Sequence, residues 1–438
     1  MKERWYKIDN AGKIFPTTFS KSSPNSFRFS VTLKDEVDES LLKPALNAAL
    51  ERFPTFKVRL KRGLFWYYFE KNNKEPIITS EPANIYSEVH PFKNNGYLFN
   101  LHYYERRISL DVFHAVSDGN GAIEFFKCIV YNYLELIGVT LTNRGEVMTK
   151  DYETSYDEKE DSFLKNYDNK IKKTTKEPSG YRIGGTVYDY GYTGLVQAFM
   201  NVNDLKAVSK KYGVTITQYI ASAYIYAVYL AEYKKMDKKL PVTINVPVNV
   251  RKYMHTNSLR NFALFIRVFN YFDDDTSFLD IINHVKDSFK EELTVEKISA
   301  RIVQNVSLEK NFFIRAMPLL IKKQAMRIGY KILGSRIDSL VYSNIGTVRM
   351  PAEASRYIEH FDFVICATPN TPITISSLTY NDEFILSMTS VIKERVILEY
   401  LIKQLVSDGL DVRIECNDLE VDEWKYVLNV TLKFWIIV

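Results

Sequence analysis

His114 closes a β-patterned stretch, and Asp118, Gly119 and Gly121 open a helical one directly after it, in the run Asp111-Val112-Phe113-His114-Ala115-Val116-Ser117-Asp118-Gly119-Asn120-Gly121. An imidazole held at a strand-to-helix corner can take up and return a proton near neutral pH, because its unperturbed pKa is about 6.5. A carboxylate four residues further on, past the turn, can tie the corner to a neighbouring cation. Gly119 permits a backbone conformation closed to bulkier residues, and Gly121 lets the helix start pack closely. Asp-Gly-Asn-Gly is also ordinary turn and N-cap chemistry. His90, His102, His255, His284 and His360 sit in no comparable pattern.

The elements that hold this corner are legible from periodicity. Residues 97–104 and 107–113 read as a hairpin turning at Glu105-Arg106, whose second strand delivers His114, and residues 122–136 follow as an amphipathic helix. Upstream, 27–33 alternates as a strand. Residues 39–53 carry Leu42, Ala45, Leu46, Ala49 and Leu50 at helical spacing up to Pro54, and 56–60 and 64–69 are aromatic strands. From about Gly145 to Gly185 the chain is charged and poor in periodic apolar residues, which reads as a crossover between two halves. The second half restarts with a strand at 195–202 and a short helix at 203–212. Thr215 then caps a long helix to Glu232, and 240–247 is a strand. Helical spacing returns at 278–293 and 311–333. Residues 373–378 and 384–391 form a hairpin, a helix spans 393–408 to Gly409, and 412–416 is a strand.

The 438 residues exceed one core and predict two domains. Apolar residues make up 46% and aromatics 14%, with 30 Tyr and 27 Phe, a globular composition. A net charge of +5 is too weak a bias for a nucleic-acid footprint, although basic clusters occur at 57–62 and between Arg315 and Arg336. Cys128, Cys366 and Cys416 have neither metal spacing nor a paired framework, so reduced thiols in a cytoplasmic protein are expected, with Cys128 and Cys366 as small core hydrophobes. The start of the chain lacks the apolar core of a signal peptide, and no run has the length of a spanning helix. The apolar end, Phe434-Trp435-Ile436-Ile437-Val438, is too short to span a bilayer and reads as an added edge strand, with an interfacial anchor as the alternative.

The run from Phe113 to Gly119 resembles the His-x-x-x-Asp-Gly motif of the chloramphenicol-acetyltransferase-like superfamily of CoA-dependent acyltransferases, which includes the condensation domains of peptide synthetases. It is most similar to bacterial alcohol acetyltransferase-like members. Supporting runs are Arg52-Phe53-Pro54-Thr55-Phe56-Lys57-Val58-Arg59, Val246-Pro247-Val248-Asn249-Val250-Arg251, Arg260-Asn261-Phe262 and Ser343-Asn344-Ile345-Gly346, so the likeness extends from about Tyr6 to Asn417. One departure is Phe113, where many relatives carry a second histidine.

The resemblance implies an α/β fold of two chloramphenicol-acetyltransferase-like subdomains, mixed sheets flanked by helices, forming a pseudo-dimer with a tunnel along the interface. The subdomains are expected at 1–150, which carries the motif, and at 191–417, with a charged crossover linker at 151–190 and a tail at 418–438. His114 would be the general base that deprotonates an alcohol or amine acceptor beside an acyl-CoA thioester, with direct attack and no acyl-enzyme. Asp118 and Gly119 would be structural, Asp118 pairing with Lys57, Arg59 or Arg251. Arg251, Asn261 and Phe262 would be interface or ligand residues.

Ser343 and Asn344 end an apolar strand at 338–342 and are candidates to face the oxyanion or bind substrate, or else a polar β-turn. Acyl-CoA is expected as co-substrate, with no metal, no redox cofactor, no nucleic acid and no transmembrane segment. Two alternatives are a condensation-like or lipid-esterifying enzyme whose donor rides on a separate acyl carrier protein, and a non-catalytic binding or scaffolding member of the fold.

Overall fold

Phe27, Phe29, Val31 and Leu33 alternate along Ser26–Leu33 and bury one face of that strand against helices, while Arg28, Ser30 and Thr32 on the other face are buried too. Burial on both faces puts the strand inside a sheet. The structure, a computed structural model, describes residues 5–20, 23–82, 85, 88–152, 155–172, 177–189, 192–329, 337–417 and the backbone of 432–434. Its first large sheet has five strands in the order Ile358–Ile365, Ser26–Leu33, Arg107–Phe113, Phe99–Tyr104 and Ile78–Ser80, antiparallel except for the last pair. Helices Glu39–Arg52 and Gly119–Leu136 cover its apolar face. The opposite face carries a buried ionic cluster in which Arg28 grips both oxygens of Asp111 at 2.7 and 2.8 Å and also pairs with Glu81. Arg28 holds the Asp111 carboxyl down at a pKa of about 2 against the opposing effect of burial.

The second large sheet has eight strands, running Ala263–Asn270, Val242–Asn249, Leu340–Val348, Ile373–Tyr380, Glu383–Ser390, Gly194–Asn201, Arg413–Cys416 and Leu432–Phe434. Leu340–Val348 is parallel to both neighbours. Helices Ile216–Glu232, Phe278–Glu292 and Val396–Ser407 bury their apolar stripes against it. Thr215 does cap the long helix, through a capping box with Gln218. The apolar terminus supplies an edge strand over Leu432–Phe434, parallel to Arg413–Cys416, and Trp435 to Val438 lie outside the described residues. A small three-stranded sheet, Trp5–Lys7, Tyr67–Lys71 and Val58–Arg62, completes the β-structure.

Three departures from the sequence reading have identifiable causes. The helix expected over 311–333 is two helices, Phe312–Ala316 and Leu319–Gly329, because Met317 precedes Pro318 and is pushed to an extended conformation. Residues 330–333 lie outside the described residues. The segment from Ser343 is neither a strand end nor a turn: the strand runs on to Val348 across an irregularity between Asn344 and Thr347, with Gly346 at φ +86°. The charged crossover carries two short helices, Tyr156–Lys159 and Ser162–Lys165, and packs through its acids. Glu158 receives both terminal nitrogens of Arg52 at 2.8 and 2.9 Å, and Asp161 accepts the Asn10 N–H at 2.8 Å.

Among the described residues no single helix is long and apolar enough to cross a membrane. One bent pair, Val202–Lys211 with Ile216–Glu232, passes by length and composition. Tyr219 to Ile225 of the second helix are fully buried in this protein's own core.

Candidate functional site at the junction of the two halves

The Arg107–Phe113 strand ends one residue before His114, whose backbone N–H donates to the Asn25 carbonyl at 2.9 Å. The ring lies between aromatic walls, stacked on Phe15 at 4.3 Å between centroids and edge-on to Phe27 at 5.1 Å. It remains half-buried. On its Nδ1 side stands the Asn261 Oδ1, 3.0 Å away, contributed by the second half of the chain. The orientation of that amide is set from behind, since Asn261 Nδ2 donates to the Asp9 carboxylate at 3.3 Å. Asn261 Oδ1 is therefore an acceptor, Nδ1 carries the proton, and the lone pair sits on Nε2. Desolvation lowers the His114 pKa from 6.5, opposed by the charges of Asp118 and Asp9 and by the Asn261 bond, so the ring is neutral at physiological pH.

Asp118 caps the helix beginning at Gly119, accepting the Gly121 N–H at 3.1 Å. Its carboxylate also takes Arg251 Nη2 at 2.8 and 3.0 Å and the Phe262 N–H at 2.9 Å. Of the three basic residues that the sequence left open as its partner, Arg251 is the one opposite it, and Arg59 is engaged with Glu70. Arg251 further donates to the carbonyls of Ser258 at 2.7 Å and Arg260 at 2.6 Å, so one guanidinium clamps the loop that presents Asn261 to His114.

Gly119 does not need a glycine conformation, because its φ is not positive. It is small because a Cβ there would meet Ile345 Cδ1 at 2.6 Å. Gly121 is more constrained, since a Cβ would lie 2.0 Å from the Leu259 carbonyl oxygen and 2.3 Å from Ser117 Oγ. Gly121→Ala is expected to destabilise the protein by about 1–3 kcal/mol or more in urea denaturation. Gly119→Ala should lose less, because a flexible Ile345 terminus can move and the Leu259 backbone cannot.

The remaining sequence candidates fall around this junction. Phe262 directs its ring into a satellite core with Phe163, Val250, Leu264, Ile298 and Ile302. Asn344 has both ends of its amide occupied, Nδ2 by Thr217 Oγ1 at 3.0 Å and Oδ1 by the Gly346 N–H at 2.8 Å. Ser343 is partly accessible on the same strand. A cavity of about 380 Å³ opens where the halves meet, on the helix side of the motif, lined by Asn120 and Glu124 from one half and Asn249, Arg251 and Thr347 from the other. His114 is not among its lining residues.

Cys128 and Cys366 have pKa values pushed up to about 12 by desolvation; Cys128 is a core thiol, whereas Cys366 is only half-buried. Among the described residues no group of three or more His, Cys, Asp or Glu side chains is placed to hold a metal ion. Asp9, Phe15, Phe27 and Asn25 escaped the sequence reading. Asp9 sits in Lys7-Ile8-Asp9-Asn10, a run with no motif to mark it.

No family model matches the chain, and no curated protein matches it in sequence. Solved structures do. Polyketide synthase associated protein 5 from Mycobacterium tuberculosis superimposes with a TM-score of 0.59 at 13% identity, covering 92% of this chain and 97% of that one. The trichothecene 15-O-acetyltransferase TRI3 from Fusarium sporotrichioides gives 0.58 at 13%, covering 92% and 96%. The starter condensation domain of rhizomide synthetase RzmA, solved in complex with C8-CoA and Leu-SNAC, gives 0.57 at 10%, covering 92% and 94%. This chain has the fold of that acetyltransferase and that condensation domain.

Proposed function

We propose that this protein is an acyltransferase of the chloramphenicol-acetyltransferase-like superfamily that moves an acyl group from acyl-CoA to a hydroxyl or amine acceptor, with His114 as general base. The observation that carries the proposal is the hydrogen-bonded chain Asp9–Asn261–His114, which leaves Nε2 unprotonated on a half-buried ring where the two halves meet. The motif from His114 to Gly119 and the shared fold support it.

In this reading Nε2 takes the acceptor proton as the acceptor oxygen or nitrogen attacks the thioester carbonyl. Collapse of the tetrahedral oxyanion expels the CoA thiolate, which the imidazolium reprotonates. The proton thus returns to its starting balance, and no acyl-enzyme forms. Orienting both substrates can supply on the order of 7–11 kcal/mol of such a barrier. Asp118 and Gly119 act through structure, and Ser343 is the candidate hydroxyl for the oxyanion, since both ends of the Asn344 amide are held by protein groups. A cytoplasmic location fits the thioester donor.

The test is free-thiol release from short- and long-chain acyl-CoA in the presence of pooled alcohols and amines, with acylated products identified by mass spectrometry. Thiol release without an acylated acceptor, or no release with any donor, would remove the proposal. Running the same assay with acyl groups on a phosphopantetheine carrier protein separates the carrier-dependent alternative.

The pH profile should report the imidazole. Only the neutral ring accepts a proton, so kcat/KM falls on the acid side, and burial places that limb below 6.5. Asn261→Ala removes an interaction that raises this pKa, so the limb should move further down. Losing the fixed tautomer should lower kcat on the order of tenfold to a hundredfold with KM little changed. An unchanged limb would show that Asn261 does not act through His114.

A further inference from the structure

The helix Leu319–Gly329 buries one apolar residue, Leu319, and otherwise turns cations inward. Its inward side holds cations: Lys322 is only 1% exposed, lies 3.5 Å above the Trp66 ring and donates to the Phe65 carbonyl at 2.8 Å, and Arg327 donates to the carbonyls of Thr17 and Phe19 at 3.0 Å each. Its outward side shows Leu320, Ile321 and Ile328, the first 80% exposed. A surface helix ordinarily does the reverse.

The exposed apolar side does not stop at this helix. In the preceding helix Phe312 and Phe313 are 75% and 78% exposed. The tip of the Val58–Arg62 and Tyr67–Lys71 hairpin adds Leu64 and Phe65, joined to the helix by the Leu319 N–H on the Leu64 carbonyl at 2.8 Å. Beside the tip, Arg62 covers Phe92, which is itself half exposed. Isolated exposed leucines need no explanation, but a contiguous set of large apolar side chains marks a surface that meets something.

Charge identifies what it meets. From Lys310 to Gly329 the chain has no Asp or Glu but holds Lys310, Arg315, Lys322, Lys323 and Arg327, and 57–66 holds Lys57, Arg59, Lys61 and Arg62, of which Arg59 and Lys61 pair with Glu70. Arg315 and Arg62 are exposed, and Lys323 stands within the field of Arg327 and Arg62. Two copies meeting through this face would bring like charges together, whereas a negatively charged lipid surface matches both the apolar side chains and their basic rim.

We propose that this face, built from Phe312–Ala316, Leu319–Gly329 and the Gly63–Trp66 hairpin tip, docks the protein on an anionic lipid bilayer. The face adjoins the site: Arg327 holds the carbonyls of Thr17, within the short helix Phe15–Thr18, and of Phe19, its C-cap, and that helix supplies the Phe15 ring stacked on His114. Docking would therefore hold the His114 region near the membrane surface. The docking does not depend on the acyl-transfer reading, and vesicle binding is measured apart from turnover, so each can fail alone.

The experiment is co-sedimentation of the full chain with vesicles of phosphatidylcholine and with vesicles of equal parts phosphatidylcholine and phosphatidylglycerol. Binding is expected to the mixed vesicles, weakening as salt shortens the Debye length from about 10 Å at 0.1 M to 3 Å at 1 M. The pair Phe313→Asp and Ile321→Asp should reduce it at least ~10-fold, and Arg315→Glu with Lys323→Glu should abolish the preference for the anionic lipid. Unchanged melting temperatures establish that these surface variants fold. Absence of the wild type from the mixed-vesicle pellet, binding indifferent to both variant pairs, or a concentration-dependent dimer lost in the Ile321 variant would each overturn the proposal.

Discussion

Turnover by a His114→Ala protein is expected to fall by about 10²–10⁴-fold, while the protein stays folded and still binds the thioester donor. The expectation rests on what the ring touches. Its Nδ1 is committed to Asn261, its faces to Phe15 and Phe27, and Nε2 is the single polar atom left to meet a substrate. Truncation removes that atom and a partly buried ring, while the backbone bond from His114 to Asn25 and the cap at Asp118 remain. Stopped-assay thiol release with a matched calorimetric titration of donor separates loss of chemistry from loss of binding. Turnover at the wild-type level would mean that another group moves the proton.

The second large effect should come from Arg251→Ala, with a loss of stability on the order of 3–5 kcal/mol in urea or guanidinium denaturation. Asp118 is buried and Arg251 nearly so, and deleting the guanidinium leaves a buried carboxylate without its counter-charge, held only by the Gly121 and Phe262 N–H groups. The same change releases the Ser258 and Arg260 carbonyls, so the loop that carries Asn261 loosens and turnover should drop with stability. Arg251→Lys cannot restore the wild type, because one ammonium cannot reach Asp118 and both carbonyls with the guanidinium's geometry. A denaturation midpoint unmoved by Arg251→Ala would show that the Gly121 and Phe262 N–H groups are enough to hold the corner.

Much of this corner could be read in the chain because its parts are local. The strand before His114, the cap at Asp118 and the close packing at Gly121 all follow from residues within ten positions of one another. Helix limits at Thr215 and Arg52 were legible for the same reason. What could not be read is long-range. Asp9 reaches Asn261 across 252 positions, Arg251 reaches Asp118 across 133, and neither separation leaves a periodic trace.

Propensity also misled where neighbours outvoted it. The charged crossover reads as a linker, yet Glu158 is buried against Arg52. In Ala263–Asn270 the inward residues alternate strictly, but outward Phe265 and Phe269 hide the alternation from a hydropathy scan. The strand Ile358–Ile365 mixes His360 and Asp362 with Phe361 and Phe363, and its membership of the first sheet is decided wholly by its partner Ser26–Leu33.

That last pairing governs the order of assembly on the ribosome. The open rim of Ser26–Leu33 stays without its neighbour until Ile358–Ile365 has been synthesised, more than 300 positions later, so contact-order entropy delays closure of the first sheet. Throughout that interval a row of unsatisfied amides and carbonyls is available to other nascent chains. The polar sequence Arg28, Ser30 and Thr32 along the rim, in place of an all-aliphatic one, makes that prolonged wait less hazardous.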